Sequence, residues 1–121
     1  MPEKHLLIVD DSPVIVSRVR SLLESLPGLS VVSEAGSYGE ALQRLAESQP
    51  DILLLDINLP DRSGIHLLRY IKEHYPDTIV LMFSNQTGSF YRDLCERLGA
   101  ACFIDKSAEF MRIPDILSSF L

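Results

Sequence analysis

Several residue types are scarce in this 121-residue chain, and each shortage argues against a class of protein. The two cysteines, Cys95 and Cys102, lack the spacing of a zinc site. So few cysteines favour a reduced cytoplasmic chain over a secreted disulfide scaffold. Basic residues are also few, with 11 Lys and Arg against 17 Asp and Glu. The net charge of −6 argues against nucleic-acid binding, which requires clustered cations on the protein.

Long apolar runs are missing as well. The first apolar segment covers only residues 6–9 and ends at Asp10, whereas a membrane-spanning helix needs about 20 apolar residues. Nothing at the N-terminus resembles a targeting segment, so we expect no membrane contact. The hydrophobic fraction of 46% is sufficient for a core without disulfides or metals. The length predicts one domain over residues 1–121, with no output domain in this chain.

Five short apolar runs alternate with segments of helical periodicity. Because the runs are continuous rather than alternating with polar residues, they are typical of strands covered on both faces of a parallel sheet. The predicted strands cover residues 5–9, 29–32, 52–55, 78–83 and 101–104. This order of strands and helices, with right-handed crossovers, predicts a three-layer α/β sandwich.

Capping residues and prolines mark the predicted helices. The first helix is expected after the N-cap Ser12, and the second after a capping box formed by Ser37 and Glu40. Pro114 would break a long last helix, so we expect a loop or a single turn over residues 107–112. The third, fourth and fifth helices are predicted near residues 63–74, 88–98 and 114–121.

Two patterns near these helices have simple structural interpretations. The apolar residues of the fourth helix are interpreted as a core stripe, with binding of a partner by exposed members as the alternative. They are Phe90, Tyr91, Leu94 and Leu98. The pair Pro60-Asp61 is interpreted as the turn into the third helix.

Polar residues follow four of the five predicted strands. They are Asp10, Asp11, Asp56, Ser84 and Lys106. The carboxyl ends of parallel strands meet at one edge of the sheet, so these side chains are expected to converge there. Three converging carboxylates repel one another unless a cation lies among them, and their oxygens suit Mg²⁺. Since lysine and serine can bind phosphate oxygens, the set predicts a phosphoryl-transfer site.

Each of these residues also has an ordinary interpretation when it is considered alone. Asp10 and Asp11 could form a turn, and their negative charges could interact favourably with the dipole of the following helix. Asp56, Ser84 and Lys106 could be a loop acid, a turn former and a solvated charge. Their joint placement at successive strand ends favours the functional interpretation.

Four segments around these strand ends form a specific set of motifs. They are Leu-Ile-Val-Asp10-Asp11-Ser-Pro, Asp51-Ile-Leu-Leu-Leu-Asp56-Ile-Asn-Leu-Pro60 with Ser63-Gly64, Met82-Phe-Ser84, and Gly99-Ala-Ala-Cys-Phe103-Ile-Asp-Lys106. Over essentially the whole chain, the sequence resembles the receiver domain of bacterial two-component response regulators. The resemblance implies a doubly wound, flavodoxin-like parallel sheet with strand order 2-1-3-4-5 and five helices.

The resemblance also implies a phosphorylation-activated switch rather than a conventional turnover enzyme. Asp56 would accept phosphate from the phosphohistidine of a histidine kinase or phosphotransfer protein. Asp11 and Asp56 would hold Mg²⁺ directly, and Asp10 would hold it mainly through water. The backbone carbonyl of Asn58 would complete the protein ligands.

Further residues match positions that bind the phosphoryl group or respond to it in the family. Ser84 and Lys106 would bind the phosphoryl oxygens, and Phe103 would be the switch aromatic. Asn58 and Gln86 match positions that tune dephosphorylation. The implied partners beyond the kinase are a downstream protein or an output domain outside this chain. Homodimerisation through the fourth helix, fifth strand and last helix is a further expectation.

The chain departs from the family pattern at two positions beside the site. Asn85 follows Ser84, where the family usually has a small residue, and is expected to crowd the path of phosphodonors. Ser107 follows Lys106, where the family has a proline, so the cis Lys-Pro peptide often seen there cannot form. We therefore expect a different loop after the fifth strand.

Two alternative functions remain open from the sequence. The first is an adaptor that uses the same fold for protein binding without phosphorylation. Such adaptors usually lack an acid, the lysine or the phosphoacceptor, and none is lost here. The second is a haloacid-dehalogenase-like phosphatase with an aspartyl-phosphate intermediate. It needs a second acid two residues after Asp56, where this chain has Asn58.

Overall fold

The computed structural model describes residues 3–121, in which five strands alternate with five α-helices. The strands are β1 (Lys4–Val9), β2 (Leu29–Ala35), β3 (Ile52–Leu55), β4 (Ile79–Ser84) and β5 (Cys102–Asp105). The α-helices are α1 (Pro13–Leu23), α2 (Tyr38–Ser48), α3 (Gly64–His74), α4 (Ser89–Arg97) and α5 (Ile113–Ser118). A short 3-10 helix, Phe110–Arg112, precedes α5. None of these helices has the length and apolar character needed to cross a membrane.

The five strands form one parallel sheet in the order β2-β1-β3-β4-β5, which confirms the predicted fold class and strand order. The register brings the carboxyl ends of the central strands level with one another. Val9 of β1 pairs with Leu55 of β3, and Leu55 pairs with Met82 of β4. Asp10 and Asp56 therefore leave neighbouring strands at the same height.

Both faces of the sheet are covered by helices, and this explains the continuous apolar runs. Under α1 and α5 lie Leu6, Ile8, Ile52, Leu54, Leu81 and Phe83. Under α2, α3 and α4 lie Leu7, Val9, Leu53, Leu55, Val80 and Met82. All of these side chains are fully buried, and each contributes about 1.5–3 kcal/mol through the hydrophobic effect.

The helix ends follow the predicted capping chemistry with one difference. The Oγ atom of Ser12 accepts a hydrogen bond from the Ile15 N–H at 3.3 Å, and Ser37 Oγ accepts one from the Glu40 N–H at 3.1 Å. The Glu40 carboxylate accepts from the Gly36 N–H at 3.4 Å, not from the Ser37 N–H of a standard capping box. The predicted capping box is therefore only half formed.

Several predicted boundaries differ from the structure. The second strand extends to Ala35 rather than residue 32, because an edge strand pairs on one side only and tolerates the polar residues Ser33 and Glu34. β4 and β5 each begin and end one residue later than predicted. The last helix accommodates Pro114 in its first turn, where the missing N–H has no intrahelical partner to lose.

The predicted core stripe on α4 is wrong for Phe90, and Leu94 is only partly buried and lies outside the core cluster on that face. Phe90 is 69% exposed and packs edge-on against Tyr91, with ring centroids 5.3 Å apart. The side chains that pack toward the sheet are Tyr91, Cys95 and Leu98. The buried face of α4 begins at Tyr91, one residue later than predicted. Because successive helical residues are rotated by about 100° around the axis, Phe90 then points to solvent.

Gly64, at the start of α3, has no room for a side chain. A Cβ atom there would lie 1.9 Å from the carbonyl oxygen of Asp56, whereas a Cβ on Gly88 would contact nothing within 4 Å. We predict that Gly64→Ala lowers the free energy of unfolding by about 3 kcal/mol, the upper end of the usual cost of overpacking, since backbone must move to relieve the overlap. Gly88→Ala, the matched control, should change it by no more than about 1 kcal/mol, the value of a helix cap.

Urea unfolding followed by circular dichroism measures both values. Similar stabilities of the two variants would show that the backbone at Asp56 can shift at little cost in free energy, contrary to this prediction.

Candidate functional site

Carboxylates from two neighbouring strand ends meet at one edge of the sheet. Asp10 and Asp11 follow β1, and Asp56 follows β3. One oxygen atom from each of these three carboxylates lies within 4.8 Å of the other two. Asp10 and Asp56 are only 3% and 4% exposed, whereas Asp11 is open to solvent. The cluster is therefore partly buried, with one side open.

Lys106 brings a positive charge to this cluster from the end of β5. Its Nζ atom lies 2.7 Å from Asp10 Oδ2 and 3.0 Å from Asp56 Oδ2. Nζ also lies 5.1 Å from the centroid of the Phe83 ring. Burial alone would lower the pKa of Lys106, but hydrogen bonds and charge from Asp10 and Asp56 outweigh burial and raise it. Lys106 therefore stays protonated between the two acids.

The pKa of Asp56 is raised, chiefly because burial disfavours its charged form. The Lys106 ammonium opposes this shift, and the negative charge of Asp10 adds to it. If all three carboxylates are ionised, one lysine leaves two negative charges uncompensated. This imbalance and the all-oxygen set of donors fit a hard divalent cation such as Mg²⁺.

Two amide side chains link the loops beside Asp56. The Nε2 atom of Gln86 donates a hydrogen bond to Asn58 Oδ1 at 2.8 Å. The Asn58 N–H donates to Asp56 Oδ1 at 3.3 Å, and the Gln86 N–H donates to Ser84 Oγ at 3.1 Å. Ser84 is fully buried at the end of β4. The loops after β3 and β4 are thus connected to each other beside Asp56.

Phe103 lies on β5, where it pairs with Met82 of β4 and is half-buried. The guanidinium of Arg92 lies over the Phe103 ring, 4.9 Å from its centroid. The Nε atom of Arg92 also donates to the Thr87 carbonyl at 3.0 Å. The predicted switch aromatic therefore packs under a residue of α4 that is tied to the preceding loop.

The two positions that depart from the family pattern contact each other. Ser107 Oγ donates a hydrogen bond to Asn85 Oδ1 at 2.9 Å, which joins the loops after β4 and β5. No peptide bond in the described residues is cis. The Asp105 carboxylate closes the second loop by accepting from the N–H groups of Ala108 at 3.0 Å and Ser107 at 2.9 Å. These hydrogen bonds lower the pKa of Asp105.

The sequence interpretation missed the role of Asp61. The Pro60-Asp61 pattern predicts only a turn, but the Asp61 carboxylate accepts hydrogen bonds from the backbone N–H groups of Tyr38 and Gly39. These partners stand more than twenty residues earlier in the chain. The only local signal is an aspartate after Pro60, and it does not indicate which N–H groups it meets.

The parallel fold and the acidic, lysine-bridged strand edge define a class of signalling domain. A family model described as the response regulator receiver domain matches residues 6–118. The chain therefore belongs to the receiver domains of two-component response regulators. Receiver domains typically bind Mg²⁺ at an acidic pocket, and they interact with histidine kinases and output domains.

Similar proteins include enzymes and regulators of transcription. The chain is 39% identical over 102 residues to a protein-glutamate methylesterase/protein-glutamine glutaminase of Alkalilimnicola ehrlichii, covering 83% of this chain and 26% of that protein. It is 37% identical over 100 residues to a putative transcriptional regulator of Pseudomonas aeruginosa, covering 83% and 48% respectively. The chain thus spans about a quarter to a half of the length of these curated relatives.

A solved structure gives the same result for the fold. The response regulator domain of Thermotoga maritima CheB aligns with a TM-score of 0.85 and 30% sequence identity. The alignment covers 98% of this chain and 92% of that chain. The likeness therefore extends over the receiver domain as a whole.

The raised pKa of Asp56 predicts a specific pH dependence of stability in cation-free buffer. Because the folded protein holds this proton more tightly than the unfolded chain, stability should fall as pH rises through the range above 3.8. Asp56→Asn cannot ionise beside Asp10 and Lys106. We therefore expect it to be more stable than wild type at pH 7 and to lose that advantage near pH 4.

Urea unfolding in EDTA at the two pH values gives this difference directly. A variant that is no more stable than wild type at pH 7 would contradict the prediction.

Proposed function

We propose that this receiver domain is a phosphorylation-activated switch, in which Asp56 accepts a phosphoryl group from the phosphohistidine of a histidine kinase or phosphotransfer protein. The observation that carries the proposal is the contact of one lysine with two buried carboxylates, at 2.7 and 3.0 Å. In the reaction, an Asp56 oxygen forms a bond to phosphorus as the phosphorus–nitrogen bond breaks. The electron pair of that bond stays on the histidine ring.

Asp10, Asp11, Asp56 and the carbonyl of Asn58 are the groups proposed to hold Mg²⁺. When bound, Mg²⁺ would neutralise negative charge that develops on the phosphoryl oxygens. The neighbouring residues of the chain supply the other contacts. Lys106 Nζ, now shared between two carboxylates, would donate to a phosphoryl oxygen. Ser84 Oγ uses a lone pair for the Gln86 N–H, so its own proton is free to be donated.

The output of the switch is proposed to be a changed binding surface formed by α4, β5 and α5. A phosphoryl group adds a charge of about −1.5 to −2 at the site and can bias an element with two states. In this proposal Phe103 turns inward as Ser84 moves toward the phosphoryl group. The partner that binds this surface is a downstream protein, an output domain outside these residues, or a second copy of the domain. Asn58 and Gln86 would tune the lifetime of the phosphoryl group.

Neither alternative function has a specific observation in its favour. The three acids and the lysine are all present, with Lys106 in contact with Asp10 and Asp56, which gives a phosphorylation-independent adaptor no particular support. A phosphatase would need an acid at the position of Asn58. In this chain the Asn58 side-chain amide instead accepts a hydrogen bond from Gln86. We therefore treat the domain as a switch whose only chemistry is its own phosphorylation and slow hydrolysis.

Incubation with a small phosphodonor tests the proposal without knowledge of the partner kinase. Wild-type protein with acetyl phosphate or phosphoramidate and MgCl₂ should gain one phosphoryl group by intact-mass spectrometry, and EDTA should abolish the gain. Asp56→Asn should gain none, because its amide is not a nucleophile. As a second probe, beryllofluoride with Mg²⁺ should occupy the site in wild type only.

Ser84→Ala is a useful companion variant, since it keeps the nucleophile and the carboxylates. We expect it to be phosphorylated still, but without the full conformational response in NMR spectra. Phosphate found on Asp56→Asn at the wild-type level would refute the assignment of the acceptor.

A further inference from the structure

The N-terminus of α2 is capped by an aspartate from another loop. Asp61 Oδ1 accepts from the Tyr38 N–H at 2.8 Å, and Oδ2 accepts from the Gly39 N–H at 3.0 Å. Ser37 Oγ takes the next N–H group, that of Glu40, at 3.1 Å. The N–H groups of Tyr38, Gly39 and Glu40 in the first turn of α2 therefore all have hydrogen-bond acceptors. Asp61, in the loop after β3, provides two of the three.

This cap is charge-assisted and reinforced by a second contact between the same segments. A carboxylate at a helix N-terminus interacts favourably with the helix dipole as well as with the N–H groups. The guanidinium of Arg62 lies over the Tyr38 ring, 5.2 Å from its centroid. The hydrogen bonds from Gly39 and Tyr38 lower the pKa of Asp61. The carboxylate is therefore charged at neutral pH and keeps both acceptor oxygens.

The loop that Asp61 fastens is the one that carries half of the proposed cation site. Residues 56–63 connect β3 to α3 and include Asp56 and Asn58. Asp61 itself is not part of the carboxylate cluster found among the described residues. Its hydrogen bonds therefore act on the position of the loop rather than on a bound cation directly.

The other half of the site touches the same end of α2. Gly36, just before α2, lies against the loop after β1. A Cβ atom on Gly36 would be 3.9 Å from both the Asp10 carbonyl oxygen and the Asp11 Cα. The Asp10 N–H also donates to the Ala35 carbonyl at 3.0 Å. The residues just before α2 thus adjoin the loop after β1, and the first turn of α2 is hydrogen-bonded to the loop after β3.

We propose that Asp61 is a positioning residue for the cation site, because it bonds the loop of Asp56 and Asn58 to the helix end that adjoins Asp10 and Asp11. This inference rests on the proposed function, since it assumes that these residues share one Mg²⁺ ion. Loss of the Asp61 contacts leaves every ligand in place but frees the two halves of the site to move apart. The affinity for the cation falls, while the nucleophile and Lys106 remain intact.

The test compares Asp61→Ala with Ser37→Ala, a matched control that removes a cap from the same helical turn without touching the loop. Mg²⁺ affinity is measured by NMR titration with MgCl₂, and stability by urea unfolding. Both variants should be less stable than wild type. Only Asp61→Ala should bind Mg²⁺ more weakly, by about tenfold, as is typical when a residue that orients metal ligands is lost. Asp61→Asn retains one acceptor oxygen and should lie between Asp61→Ala and wild type.

Phosphorylation by acetyl phosphate gives a second readout that helix stability alone would not change. The Mg²⁺ concentration for half-maximal rate should rise in Asp61→Ala, while the rate at saturating Mg²⁺ should equal that of wild type. If Asp61→Ala does not fold, the same comparison is made with Asp61→Asn.

The outcomes separate this inference from the proposed function. Equal Mg²⁺ affinity in wild type and both Asp61 variants, or an equal loss in Ser37→Ala, would overturn the positioning role and leave the switch intact. Wild-type protein that binds no Mg²⁺ and gains no phosphate would overturn both.

Discussion

The sharing of one ammonium group between two buried carboxylates is the interaction on which the site depends. Lys106 reaches Asp10 and Asp56 from the far side of β4, because the parallel strands end together at one edge of the sheet. Loss of the Lys106 charge would be costly, because it would leave two buried carboxylates without a counter-charge. With Asp11 added, the pair becomes a cluster with excess negative charge. The fold thus holds uncompensated negative charge at the strand ends, which a bound cation would neutralise.

The packing beneath the cluster keeps this arrangement in place. The ring of Phe83 lies under the Lys106 ammonium, and the Phe110 ring packs against Phe83 with centroids 6.1 Å apart. The guanidinium of Arg18 in α1 lies 4.5 Å from the centroid of the Phe110 ring. Aromatic rings and cations therefore connect the lysine to the helices on one face of the sheet. On the opposite side, Gly64 lets α3 begin in direct contact with the Asp56 backbone.

The burial of the strands and the convergence of their ends could be predicted from the sequence, whereas contacts between loops could not. Continuous apolar runs indicate buried parallel strands, and their ends indicate which polar residues meet. The exposure of Phe90 depends on how α4 is rotated about its own axis relative to the sheet. The apolar residues of the helix alone do not determine that rotation. The partners of Asp61, and the bond between Ser107 and Asn85, depend on loop paths in three dimensions. No local propensity encodes such pairs, so these features emerged only from the structure.

Those loop contacts differ in strength from the core beneath them. The bonds between Gln86 and Asn58 and between Ser107 and Asn85 are exposed and polar, and a typical hydrogen bond contributes only about 0.5–1.5 kcal/mol. The core below consists of side chains that each contribute more and cannot rearrange without loss of packing. A change in charge at Asp56 would therefore alter these loop contacts more readily than the packing of the sheet. This division suits the proposed switch, because the loops can adopt a second state while the ligands stay at fixed strand ends.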